Sequence, residues 1–518
     1  MSESLHKYHS IGALLLASSV KDLFPKITLL GNGEDRAGFF HDFAPGEQVI
    51  DMHALKNLED RMLLVQRQGV DINIMEMLRV NAAAFLSSRK EEFLASQVLD
   101  SDESLVNVIQ IGDNVDCVNL SDPELLKEIK AVKLTKVEDV SSLYDGRSAI
   151  RIRGVVASDR KLLKNYLKMI GALSEFDHRK LLSLQGLAEF LSDGVTYAWV
   201  DQGVRLLEIL HHFAARDIEK QKFRVVAASL HQRDGFHELH RNLYKKFGNL
   251  PLPVKFWQYG VVSAREERGK LEGLFASQSC FIDQQTLFCG KEGVLEAVIS
   301  SLQFIFKTVK ILGFESQWHL CIPKQYKENK AASAIKTLTQ AFDDLDIEYI
   351  VDENSNRFMF PTASLALKDV YGNSWHGPYV GLDKQVICCS TLGSHDRLIA
   401  MLIEKHKGVL PFWLVPEQVR ILPLNCEVHS YAGNVRRELE KIGLRTCTDT
   451  SDDTLAKRVH RAKLAQVPLV IVIGDREKMD GTICLRGCDD DKEKNMQLNE
   501  FLQQMTQKIQ EKGNWLEN

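Results

Sequence analysis

The chain has 518 residues, which excludes a small stapled scaffold and leaves room for three or four domains of roughly 150 residues each. Lysine and arginine total 65 against 70 acidic residues, a net charge of −5, so gripping nucleic acid by bulk positive charge is excluded and any such contact must be local. Ten cysteines with no CxxC pair and no regular spacing read as free thiols of a reducing compartment, which predicts a cytoplasmic protein.

The apolar run Ile11 to Val20, closed by Lys21 and Asp22, is too short to span a bilayer and lacks the flanks of a cleaved signal; no other segment reads as membrane-spanning. Over residues 1–150 an amphipathic helix is expected at Leu78 to Leu94, with strands at Val106 to Ile111 and Ala149 to Val155, an α+β pattern. The charged run Asp177-His178-Arg179-Lys180 lies in a helical linker expected over 151–184. From 185 to 408, short strands such as Phe281 to Cys289 and Arg357 to Leu367 mix with long helices such as Val294 to Leu312, which predicts an antiparallel sheet with flanking helices. From 409 to 518, Val419 to Leu424 reads as a strand and Asn434 to Ile442 as a helix capped by Gly443. Val467 to Ile473 then reads as a strand buried on both faces, and Met496 to Ile509 as a helix striped by Leu498, Phe501, Leu502, Met505 and Ile509. Alternating strand and helix there predicts a small α/β unit. The whole is expected to be an α+β multi-domain protein.

Three segments occur in a telling order. Trp257-Gln258-Tyr259-Gly260-Val261-Val262 through Phe288-Cys289 resembles the second signature motif of class II aminoacyl-tRNA synthetases, the threonyl enzyme in particular. Thr391-Leu392-Gly393-Ser394-His395-Asp396-Arg397 resembles its third motif, and Leu410-Pro411-Phe412-Trp413 through Val419 resembles the entry to its anticodon-binding domain. Upstream, Ile111 to Cys117 and Ala131 to Leu134 are similar to pieces of the family's editing domain. The resemblance implies an editing-like domain over 1–150, a helical linker over 151–184, a class II core with an antiparallel sheet over 185–408 and an anticodon-binding-like domain over 409–518. The small ubiquitin-like domain that usually comes first is not expected, because His9 lies where the editing domain starts.

The same resemblance assigns site residues. Arg265 and Arg397 fall on the arginines that hold ATP bent, and Glu267 on the carboxylate that reads the adenine amino group; read alone, Arg265 and Glu267 are an ordinary surface pair. The zinc that ligates threonine in the family is expected to be absent, since Thr286 and Cys388 stand at two ligand positions and the Cys-Pro-x-His segment has no counterpart beyond His237 and His240. Gln284 replaces the carboxylate for the substrate amine, Ala276 a loop arginine and Gly381 a glutamine near the adenylate. In the editing-like region His9 keeps one position of a His-x-x-x-His pair, Ala13 has lost the other, and Cys117 lacks its following histidine. Glu477 and Arg486 fall where the family contacts anticodon bases, with Lys457, Arg458, Arg461 and Lys463 on the preceding helix as phosphate candidates.

These expectations define a tRNA-binding, ATP-binding (with Mg) homodimer without zinc, without DNA or membrane partners, and of doubtful ligase activity. A divergent active threonine-tRNA ligase and a regulatory subunit with no RNA role are the competing readings. The helix and strand within Arg205 to Val226 are the expected dimer element.

Overall fold

The structure is a computed structural model and describes residues 3–513 except 102–103, 119, 121, 192–194, 217, 219, 228–234, 249, 264–270, 325–331, 354, 356 and 488–492. Its architecture is mixed α+β with several separate sheets.

In the N-terminal part, the helix His9–Leu23 buries its whole circumference from Ile11 to Val20, which is why the segment reads as a continuous apolar run. It packs on a four-stranded antiparallel sheet ordered Thr28–Asp35, Gly38–Ala44, Ile150–Ala157, Ala131–Asp139. The strand Ile150–Ala157 is interior to that sheet, so the helical segment expected from 151 begins at Arg160, where Asp159 caps the helix Arg160–Leu173. The single helix expected over Leu78 to Leu94 is two, Arg79–Ser88 and Glu92–Asp100. Lys90 takes φ of 67° between them, and the Glu91 N–H closes on the Leu86 carbonyl at 3.0 Å, a Schellman stop built without glycine.

The central part is an eight-stranded sheet in the order Arg224–Val226, Val254–Ser263, Ser279–Phe288, Val386–Ser390, Ser374–Asp383, Thr362–Lys368, Ser316–Ile322, Tyr349–Glu353. It is antiparallel except for a parallel strand at each edge. The helices Gln202–Ala215, Val294–Leu312 and His395–Lys405 bury their apolar stripes in one cluster with Leu287, Ile387, Val380 and Leu365 from the sheet. The helix Gly235–Phe247 lies on the opposite face, where Leu243 and Tyr244 meet Phe256 and Phe288. The strand expected from Arg357 begins only at Thr362.

The C-terminal part is a five-stranded sheet ordered Thr446–Thr448, Val419–Pro423, Leu469–Ile473, Thr482–Gly487, Glu493–Gln497, parallel in its first three strands and antiparallel after. Gly443 ends the helix His429–Lys441 with φ of 83°, as expected, although that helix starts five residues before Asn434. Met496 belongs to the strand before the last helix, Leu498–Gly513. Among the described residues no helix is long and apolar enough to cross a membrane.

One buried ionic cluster joins the N-terminal part to the centre. Arg36, in the turn after Thr28–Asp35, donates from Nε to Glu272 Oε1 at 2.9 Å and from Nη1 to Glu404 Oε2 at 2.6 Å. Its guanidinium lies over the Phe275 ring at 3.8 Å, and His178 from the linker bonds the other Glu404 oxygen at 2.8 Å.

Candidate active-site face and C-terminal binding unit

Strand pleating puts Gln258, Gln284 and Thr286 on the face that bears the helix Gly235–Phe247. Gln258 stands opposite Gln284, Thr286 opposite Cys388, and Cys388 opposite Gly381, so four strands contribute to that face. Two histidines one helical turn apart, His237 and His240, drop onto it from the helix.

The polar groups there form one directed chain. Phe236 N donates to Gln284 Oε1 at 3.0 Å, and Gln284 Nε2 donates to the Tyr379 hydroxyl oxygen at 2.9 Å. That leaves the Tyr379 proton for His237 Nε2, also at 2.9 Å. His237 then carries its own proton on Nδ1 and donates to Thr286 Oγ1 at 3.0 Å, while the Thr286 hydroxyl donates onward to His240 Nδ1 at 2.9 Å. Both imidazoles are neutral in this assignment. Burial pushes His237 down to about 3, helped by the nearby His240 and Arg241, and burial pushes His240 down to about 4 despite Gln258 beside it.

This donor set does not fit a threonine-binding zinc. Both Nδ1 atoms turn to a threonine hydroxyl, a poor zinc ligand, and Cys388 is fully enclosed with its thiol pushed up to about 12 by burial rather than held as a thiolate. Among the described residues His237, His240 and Cys388 form no group of converging metal ligands. The space is also filled. Phe236 packs with Ile282 and Tyr379, and a Cβ on Gly381 would meet the Phe360 ring at 2.3 Å, so a glutamine side chain has no room at that position. The strands Ser374–Asp383 and Val386–Ser390 are joined by Lys384 and Gln385 alone.

A pH test follows from the two histidines. Their folded pKa values lie below the unfolded 6.5, so the unfolded chain binds more protons between those values, and the stability they contribute is full above 6.5 and lost as pH falls toward 4. Denaturant unfolding at pH 7.5 and 5.0 should show a loss on acidification, at most about 1.4 kcal/mol per pH unit for each histidine. The double variant His237→Gln, His240→Gln should reduce that dependence by the share of the two histidines, His9 still contributing in the same direction; an unchanged slope would contradict the neutral assignment.

Of the three residues assigned to ATP, Arg265 and Glu267 lie outside the described residues. Arg397 sits in the first turn of the helix His395–Lys405, whose N-cap is Ser394. Its Nε donates to Phe275 O at 2.7 Å and its Nη1 to His376 O at 3.2 Å, with the guanidinium over Trp375 at 4.9 Å. Asp396 is a buried acceptor for Trp199 Nε1, Tyr197 Oη and Phe281 N.

In the N-terminal part His9 is fully buried and pushed down to about 3 by burial. Cys117 is pushed up to about 12, by burial and then by Asp116, which makes it a poor nucleophile. A pairing that sequence reading missed lies beside it: His41 Nε2 and Asp116 Oδ2 are 2.9 Å apart, with Asn32 bonding the second Asp116 oxygen.

In the C-terminal sheet Glu477 and Arg486 both lie near Cys484, whose thiol feels both charges. Glu477 accepts from Gly474 N at 2.8 Å and closes the capping box of the helix Asp475–Asp480, whereas Arg486 pairs across the hairpin with Glu493. Arg458 is not available to phosphate. It is buried and donates to the Pro423 carbonyl at 2.9 Å and to the Asp449 carbonyl, tying the helix Leu455–Leu464 to the sheet. Arg461 pairs with Asp449 at 3.0 Å and with Asp453.

Comparison with known proteins fits this geometry. Residues 418–508 match the anticodon binding domain family. The chain is 25% identical over 579 aligned residues to the threonine–tRNA ligase of Prosthecochloris aestuarii, covering 96% of this chain and 87% of that protein. It is 26% identical over 561 residues to the threonine–tRNA ligase of Sulfurovum sp., covering 96% and 92%. The solved RNA binding domain of threonyl-tRNA synthetase from Cryptosporidium parvum Iowa II shares the fold with a TM-score of 0.58 at 24% identity, over 64% of this chain and 98% of that one. The C-terminal match follows a central antiparallel sheet that carries the signature segments, and along nearly its whole length the chain is similar to threonine–tRNA ligases.

Proposed function

We propose that this chain is a threonyl-tRNA synthetase-like protein that binds tRNA through its C-terminal unit and has lost most or all of its threonine-activating chemistry. The observation that carries this reading is the hydrogen-bond chain from Phe236 through Gln284, Tyr379, His237 and Thr286 to His240, which engages with the protein's own groups the residues that the resemblance assigns to binding the amino acid. That network contains amide, phenol, imidazole and hydroxyl groups and no carboxylate for the substrate amine. ATP with Mg is held weakly, because Arg397 must leave two carbonyls to reach phosphate and Arg265 and Glu267 share the task. The same division into editing-like, linker, core and anticodon-binding-like parts applies, with the first sheet extending through Ala157.

The protein works as a cytoplasmic homodimer. The helix Gln202–Ala215 leads to the edge strand Arg224–Val226, where Val225 is 64% exposed, as an edge that pairs with a second copy requires. Light scattering at micromolar protein should give twice the chain mass, and a monomer would remove this part of the proposal.

The tRNA claim is tested by filter binding of a tRNA transcript over a range of salt. Affinity should fall steeply with salt, and Arg486→Ala should weaken it by roughly tenfold, about 1–2 kcal/mol for a base-edge contact. Binding that ignores both salt and Arg486→Ala would discredit the anticodon assignment.

A further inference from the structure

Away from the central sheet, two histidines and a carboxylate meet at the start of the chain. The ligating atoms of His6, His9 and Glu34 all lie within 4.8 Å of one another. His9 is fully buried, and neither of its ring nitrogens has a hydrogen-bond partner. A buried imidazole with both nitrogens unmet is costly unless something occupies the space in front of it.

The geometry says what that is. His9 Nδ1 stands 3.9 Å from Glu34 Oε2, too long for a hydrogen bond. Two ligands of a tetrahedral ion at about 2.0–2.2 Å stand roughly 3.4 Å apart, so a shift of about half an ångström closes this pair on a metal. His6 comes from the turn before His9, with ring centroids 4.8 Å apart and planes at 73°, so the two rings meet edge to face rather than stacked. Ser10 Oγ donates to the other Glu34 oxygen at 2.8 Å, the outer contact that orients a ligating carboxylate. Glu34 is exposed, which leaves a path to solvent on its side.

We propose that His6, His9 and Glu34 form a binding site for a divalent transition metal of the zinc class, with three protein ligands and a fourth position open to water. Two imidazoles and one carboxylate suit zinc, cobalt or nickel, whereas magnesium and calcium take oxygen ligands. The set is not an inherited editing site. Ala13 has replaced the second editing histidine, and neither His6 nor Glu34 belongs to that pattern. It is also independent of the fate of the central face, which belongs to another sheet.

The test is titration of Co²⁺ into the metal-stripped, untagged full chain, read by visible absorption and by metal content. One cobalt per chain at micromolar concentration is expected, displaced by zinc. Glu34→Gln changes an exposed side chain and should leave the fold intact while weakening binding at least about tenfold, since losing a ligand costs no less than losing its outer partner. His6→Ala should act alike. His9→Gln should abolish binding, with circular dichroism checking that this buried variant folds. Wild-type affinity in both Glu34→Gln and His6→Ala, or no cobalt uptake at all, overturns the proposal. Loss of the cobalt band in His237→Gln instead would place the metal on the central face and overturn it equally.

Discussion

Threonine-dependent ATP–pyrophosphate exchange by this chain is expected at background, on the order of 10⁴-fold below a zinc-dependent member of the family. Two substitutions decide that magnitude. Gln284 offers the substrate amine a neutral oxygen that already accepts from Phe236 N, and Thr286 offers the side-chain hydroxyl a group already held between two histidines. A charge-assisted bond lost at each place costs about 2–3 kcal/mol, roughly 10² in rate apiece. Single back-substitutions should not restore exchange. Gln284→Glu buries a carboxylate against Tyr379, and Gly381→Gln collides with Phe360. Exchange recovered by either one would show that the framework remains open and that only a side chain was missing.

Arg36→Ala should destabilise the protein by about 3–5 kcal/mol, the cost of leaving a buried ion without its partner. Arg36 and Glu404 are both nearly inaccessible, at 4% and 3% exposure, so water cannot take over when the guanidinium is removed. Burial alone would raise the Glu404 carboxyl; the bond from His178 and the Arg36 charge outweigh it and hold the group below its ordinary value. A depressed carboxylate contributes stability that is present above the unfolded pKa and lost as pH falls through the folded one. The wild type should therefore lose this contribution on acidification below about pH 4.5, and Arg36→Ala should show less of that loss. Arg36→Lys should rescue little, because one ammonium cannot donate to Glu272 and Glu404 while stacking on Phe275. Urea unfolding reads the difference at neutral pH; a loss under about 1 kcal/mol would mean that the N-terminal part is not locked to the centre through this residue.

The family resemblance groups Gln284, Thr286, Cys388 and Gly381 into one site; strand periodicity by itself says only that Gln284 and Thr286 share a face. The network built from them is not legible in the same way. Tyr379 carries the chain between Gln284 and His237, yet it lies on a different strand and nothing in its neighbourhood marks it as a hub. The His41–Asp116 pair is hidden for the same reason, its members coming from strands distant in sequence. The break at Lys90 carries no glycine or proline signal, so periodicity alone runs the two helices together. Other features have readable signs. Gly474 to Glu477 has capping-box spacing at a strand-to-helix turn, which already gives Glu477 a structural task, and Arg458 lies on the inward stripe of its helix with Ala462. The strand at Ile150 to Ala157 runs past the domain boundary expected at 150 because an element pattern marks a strand without naming its partners, while sheet membership is set by partners on both sides.

Aminoacylation of a threonine tRNA transcript tests the central claim most directly, because it requires the amino-acid face, ATP and the C-terminal unit together. With wild-type protein, labelled threonine and MgATP, the transcript should be retained by the protein in filter binding and remain uncharged. Charging at a rate comparable to a zinc-dependent threonine-tRNA ligase would contradict the hydrogen-bond chain from Gln284 to His240, and with it the proposed loss of function.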